Sequence, residues 1–163
     1  MKKFELTAEF VTNVFGKKLF RIKALVAFGN VEKGELGGFI EKEDNLSHDG
    51  NAWVSGNARV YGNAWVYGNA QVYGDAQVSG DAQVSGDADY AVVKGFGRCF
   101  RTTTFFRCKD KILRVQCGCF YGDLAQFREI VKKTHGDRKY AKEYLAIADL
   151  MELHFSDECG GEQ

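Results

Sequence analysis

The sequence predicts a mainly β protein built around a short parallel β-helix, with a β-hairpin before it and an α+β unit after it. Three observations carry this. A six-residue repeat runs unbroken from Gly50 to Tyr90, stretches of alternating β-rich sequence stand on both sides of it, and residues 123–155 change to helical spacing.

The repeat defines the helix. Gly50, Gly56, Gly62, Gly68, Gly74, Gly80 and Gly86 are each followed by Asn or Asp and then by Ala. Val follows each Ala two residues on, at 54, 60, 66, 72, 78 and 84, until Tyr90 takes the place. Residues two apart on an extended chain share a side, so Ala and Val point inward and the residue between them outward. The Gly-Asn or Gly-Asp pair suits a tight corner with positive φ. Three such edges make one triangular coil, and a period of six excludes the five-residue coils of pentapeptide-repeat proteins. The repeats amount to about 2.3 coils, or roughly 11 Å of stack at the usual strand spacing. Each unit buries its apolar side only by stacking on its neighbours. The small residue two places before an inward aliphatic one resembles the hexapeptide pattern of left-handed parallel β-helices.

Before the repeats, "FELTAEFVTNV" and "KKLFRIKALVAF" alternate around Phe15-Gly16-Lys17 and predict a hairpin that caps the helix. A lead-in with Gly34, Gly37 and Gly38 follows. Leu46 stands six before Ala52, which places it in the Ala register and His48 in the Val register, as a residue at the cap edge. After the repeats, "YAVVKGFGRCFRTTTFFRCKDKILRVQCGCFYG" predicts two or three antiparallel strands with a turn near Lys109-Asp110-Lys111. Asp123 with Gln126 forms a capping box for a helix whose Leu124, Phe127, Ile130 and Val131 share a face, and Gly136 ends it. Asp137 is expected to open a second helix, with Tyr140, Tyr144, Ala148, Met151 and Phe155 at helical spacing. The domain boundaries expected are 1–45 for the hairpin and lead-in, 46–91 for the β-helix, 92–156 for the α+β cap and 157–163 for a frayed tail.

The combination "FGNVEKGELGGFIEKEDNLSHDGNAWV", the "GNA.VYGDA.V" repeats and "VQCGCFYGDLAQFREIVKKTHGD" resembles a group of bacterial and phage hexapeptide-repeat proteins, often labelled polymer-forming cytoskeletal proteins. The resemblance covers nearly the whole chain. It implies the left-handed fold and a phage or prophage setting in a bacterial host; since left-handed β-helices frequently associate side by side, a trimer or dimer is expected. It lends no catalytic residue.

Composition narrows the function classes. The chain has 163 residues, 45% hydrophobic and 27% charged, which is ordinary for one or two compact domains. No apolar run approaches the length of a membrane span, so a cytoplasmic, membrane-free protein is expected. Five cysteines fit reduced thiols better than a disulfide framework. Cys99, Cys108, Cys117 and Cys119 lie close in sequence, but only one pair is tightly spaced, so no metal site is expected. The three histidines, His48, His135 and His154, all stand outside the regular coils. An acyltransferase-like enzyme with its site between subunits therefore ranks below a binding protein, and no catalytic residue or cofactor is assigned. A filament former is the further alternative, which caps at both ends would oppose.

The net charge is zero, yet residues 92–116 hold seven cations against Asp110 alone, while the segments on either side are net acidic. Phe96, Phe100, Phe105 and Phe106 interleave with them. Forked donors suit phosphate and flat rings suit a base. Arg98, Arg101, Arg107, Lys109, Arg114 and Phe105 are thus the expected ligand-binding residues, with Arg101 or Arg107 central. Overall neutrality opposes tight nonspecific binding of nucleic acid. A small anionic ligand or an acidic host protein fits better, which suggests a self-assembling counter-defence protein that sequesters an effector or nucleotide signal. On the coils, Trp53, Tyr61, Trp65 and Tyr67 stand at outward positions and need a cover. They are the expected oligomer interface, unless the hairpin covers them.

Overall fold

The computed structural model describes residues 2–86, 89–97 and 101–156. The chain is mainly β, with repeat-like parallel strands in its middle and two helices at its end. Strands β1 (Phe4–Thr12) and β2 (Lys18–Ala24) form an antiparallel hairpin. At its tip the Asn13 side-chain oxygen accepts from the backbone N–H groups of Phe15 and Lys17, and Gly16 takes φ +80°.

The repeats form six two-residue strands: β4 (Trp53–Val54), β5 (Arg59–Val60), β6 (Trp65–Val66), β7 (Gln71–Val72), β8 (Gln77–Val78) and β9 (Gln83–Val84). Trp53 pairs in parallel with Gln71, Arg59 with Gln77, and Trp65 with Gln83. Each partner lies three hexamers along, so three edges make a turn and each edge has its own ladder. Every Ala and Val of the repeats from Ala52 to Val84 is buried in one core. The corner glycines from Gly50 to Gly80 have φ between +63° and +72°, where a Cβ is penalised. The Asn and Asp beside them take no positive φ; among the described non-glycine residues only Lys111 does.

The stack begins earlier than the spacing implies. Strand β3 (Leu36–Ile40) pairs antiparallel with β2 and in parallel with β5, bringing Ile40 opposite Val60. Leu46 pairs with Val66, so it occupies a Val position and not the Ala position that counting back from Ala52 assigns. Two extra residues between Leu46 and Val54 shift the phase. They place His48 in the enlarged corner, outside the inward register. Its ring stacks on Phe4 at 4.2 Å, and its Nδ1 accepts from the Lys3 backbone N–H.

Both ends of the coil core continue into other elements. Phe4 and Ile22 of the hairpin join it at one end, and Tyr90, Phe106 and Cys108 at the other. Beyond it, β10 (Tyr90–Phe96), β11 (Arg101–Arg107), β12 (Leu113–Cys117) and β13 (Phe120–Asp123) form an antiparallel sheet in that order. Helices α1 (Leu124–His135) and α2 (Lys139–His154) cover one face of this sheet, with a second core of Phe105, Val115, Phe127, Tyr144 and Ala148 between them. Asp123 caps α1 by accepting from the Gln126 N–H, while Gln126 accepts from the Asp123 N–H. The start of α2 differs from expectation: the extended residue before it is Arg138, not Asp137, because Arg138 first donates its N–H to the His135 carbonyl. The expected tail, 157–163, lies outside the described residues.

Candidate functional site

Strand β11 has two working faces. Its alternation sends Thr103, Phe105 and Arg107 toward the helices and Thr104 and Phe106 toward the coil. The Thr104 hydroxyl accepts from the Gln77 N–H, and on the neighbouring strand Gln116 accepts from Ser79, which locks the sheet to the last coil. The cations of this segment are therefore divided between faces from the outset.

Three of the six described cations also have acidic partners. Arg107 faces Asp89 at 3.4 Å and lies over the Phe155 ring at the end of α2. Arg114 grips Asp110 through two bonds of 3.0 Å, which holds the Asp110 carboxyl below the usual carboxylate range and raises the arginine further. Lys94 pairs with Asp75 of a coil corner. Lys109 and Lys111 are exposed on the turn at the foot of the coil, where the Lys109 N–H donates to Asp81. Phe105 is wholly buried between sheet and helices and offers no face to a ligand, contrary to expectation. Its neighbours in the pattern are divided likewise, since Phe106 is sealed in the coil core. Arg98, Cys99 and Phe100 lie outside the described residues.

Arg101 is the expected residue that meets a cavity. It is exposed at the mouth of a pocket of about 290 Å³ between β11, β12, the turn after it, and both helices. Phe120, Phe127 and Tyr144 supply the apolar lining, with Cys117, Cys119 and His135 at the rim. Gly118, at φ +58°, lets the Arg101 guanidinium approach the turn, since a Cβ there would stand 2.2 Å from its Nη1. Two hydroxyls nearby are donors that already have acceptors. Burial, with Cys117 beside it, pushes the Tyr144 hydroxyl up to about 12, and that hydroxyl donates to the Phe96 carbonyl at 3.1 Å. The Thr103 hydroxyl donates to the Cys117 sulfur at 3.2 Å. An arginine over a ring-lined pocket can hold an anion by its charge and a flat apolar group by its floor. Sequence spacing missed His135 and Tyr144 as neighbours of Arg101, because the helices that carry them return to the sheet only in three dimensions.

The outward aromatics of the coil also separate. Trp53 is 2% exposed, packed edge-on against Phe28, and Tyr61 is 6% exposed against Leu19 and Phe39. Both belong to the interior of the chain, so the expected interface loses them to the N-terminal strands. Trp65, 40% exposed, and Tyr67 stay on the surface, stacked at 4.0 Å.

The cysteines and histidines have structural surroundings. Cys108 belongs to the coil core, near Tyr121 and with its thiol pushed up by burial, while Cys117 packs with the helix-side core. They sit on opposite faces of one sheet. Cys119 is in the turn after β12. Among the described residues no three His, Cys, Asp or Glu side chains are grouped to hold a metal ion. His135 rests near Tyr144 and His154 against Phe155.

A family profile described as YdcK Beta solenoid repeat matches residues 52–68 and 70–86. No curated protein is significantly similar to the chain. No helix among the described residues is long and apolar enough to cross a membrane. The matched stretches coincide with the paired strands β4 to β9, and on both grounds the chain is a β-solenoid repeat protein.

Proposed function

We propose that the protein is a non-enzymatic binding protein whose solenoid is scaffold and whose C-terminal unit holds a small anionic ligand bearing a flat ring, of mononucleotide size. The observation that carries this is Arg101 at the mouth of the ring-lined pocket. A concave, ring-lined pocket of this size favours a small ligand over the acidic face of a protein. The reading as binder and not catalyst rests on the groups at the pocket: the Arg101 guanidinium is no base, the Tyr144 hydroxyl stays protonated at neutral pH and is spent on the Phe96 carbonyl, and the His135 ring is stacked on Tyr144. In the phage or prophage setting that its repeats resemble, this activity would sequester an anionic signal in the bacterial cytoplasm. We read the coil as left-handed, on the hexapeptide pattern and its glycine corners. The Trp65–Tyr67 stack is our contact for other copies in a trimer or dimer. Open-ended filaments are disfavoured, because Phe4 and Phe106 occupy the coil ends.

Mass spectrometry of small molecules released from the heat-denatured protein, followed by calorimetric titration with mononucleotides, tests the reading. Arg101→Glu should weaken binding by about 10-fold or more, the scale of a lost charged hydrogen bond, and by less at high salt. Lys109→Glu, on the far turn, should leave it unchanged. Equal affinity in the Arg101→Glu and wild-type proteins refutes it.

A further inference from the structure

A second cavity, of about 390 Å³, opens where the coil meets the sheet, and its chemistry differs from that of the Arg101 pocket. Asn57, Arg59, Asp75 and Gln77 line it from the coil, Lys94 and Thr102 from β10 and β11. The solenoid accounts for the first four: Arg59 and Gln77 are parallel partners on one face, and Asn57 and Asp75 follow the corner glycines above and below. Lys94 and Thr102 are cross-strand partners and so share a face of the sheet. The Thr104 bond to Gln77 holds the two walls at a fixed separation.

No apolar side chain lines this cleft. Among the described residues its side chains make one polar contact with each other, the Lys94–Asp75 pair. The Arg59 guanidinium, the Asn57 and Gln77 amides and the Thr102 hydroxyl have no hydrogen-bond or ion-pair partner among the described residues. A contact between two structural units is usually filled by apolar groups or by paired polar ones. Here a forked cation, two amides and a hydroxyl converge on one space, with a carboxylate and an ammonium at its edge. Two positive charges against one negative favour an anion. Amides, which both accept and donate, and a carboxylate, which accepts, suit hydroxyl groups, and without a ring in the lining nothing would stack on a base.

We infer that this cleft is a binding site for a small polyhydroxylated anion, a sugar phosphate or a uronic acid, with Arg59 taking the anionic group and Asn57, Gln77 and Asp75 the hydroxyls. The site is separate from the one proposed at Arg101, which lies on the opposite face of β11.

Saturation-transfer NMR and calorimetry with glucose 6-phosphate, glucuronate, glucose and inorganic phosphate test it on the whole protein. Glucose 6-phosphate or glucuronate should bind saturably, with Kd of about 1 mM or tighter. Arg59→Gln should weaken that binding by about 10-fold, as removal of a charged donor does, and Thr102→Val by a smaller factor. Arg101→Glu should leave it unaltered, so failure at one site does not imply failure at the other. Since Arg59 also touches the coil surface, circular dichroism checks the fold, and Lys94→Gln provides a second variant on the other wall. Three outcomes overturn the inference: no saturable binding of either anionic sugar, equal affinity for phosphate alone, or unchanged affinity in both Arg59→Gln and Lys94→Gln.

Discussion

Replacing Trp53 and Trp65 separately distinguishes an internal aromatic from an external one. The two occupy equivalent outward positions of their hexamers, yet Trp53 is 2% exposed and Trp65 is 40% exposed. Removing a buried Trp costs about 3–5 kcal/mol. For Trp53 the lower end is expected, because its indole N–H is buried with no partner among the described residues, and losing an unsatisfied donor recovers part of the loss. Close packing against Phe28 and against the backbone at Gly37 leaves little room for collapse, which keeps the loss from falling below that end. Trp65→Ala loses partial burial and the stack on Tyr67, about 0.5–1.5 kcal/mol for such a pair. With a urea dependence of about 2 kcal/mol per molar, Trp53→Ala should lower the unfolding midpoint by about 1.5 M and Trp65→Ala by less. Light scattering below the transition should show the opposite order, with mass falling only for Trp65→Ala. The reasoning is refuted if Trp53→Ala lowers the mass without moving the midpoint, or if Trp65→Ala is the more destabilising change.

Three further outcomes follow from the geometry. Gly50→Ala should be much more damaging than Gly74→Ala. Both glycines have positive φ, but a Cβ at 50 would meet the Gly68 carbonyl oxygen at 2.5 Å while one at 74 meets nothing within 4 Å, and thermal melts of the pair measure the difference. Val66→Asp buries an unpaired charge between coils and should abolish folded protein, whereas Gln83→Asp, on the same ladder but pointing outward, should leave the circular dichroism spectrum intact. Lys3 is buried, donates to the Ala52 and Gly50 carbonyls, and is lowered by that burial to about 8. Its folded pKa lies below its unfolded value, so the unfolded chain binds more protons between the two and Lys3 adds stability as pH rises from about 8 toward 10.5, up to about 3 kcal/mol. The Cys108 thiol, raised by burial, opposes this from about pH 9 upward. The difference in melting temperature between wild type and Lys3→Met, measured from pH 7 to 9, isolates the lysine and should change in favour of wild type.

What the sequence determined by itself was whatever depends on local period. Ala and Val two apart with a glycine corner every six residues admit one solution, a three-edged coil, because side-chain direction alternates along an extended chain and only glycine takes the corner without strain. The hairpin around Gly16 and the Asp123–Gln126 capping box were legible for the same reason, being bonds between residues a few positions apart. The tertiary structure decided what depends on neighbours distant in the chain. It set the phase of the first turn, where two extra residues move Leu46 to the Val position and His48 onto Phe4. It chose which outward aromatics are covered, since Trp53 and Tyr61 become interior only when the N-terminal strands fold across the coil. It also dispersed a cationic segment that looks continuous in sequence. Strand alternation sends neighbouring residues to opposite faces, and Asp75, Asp89 and Asp110 then neutralise three of the cations. Arg101 is left at one pocket, and a coil arginine with no basic neighbours in sequence, Arg59, at the other.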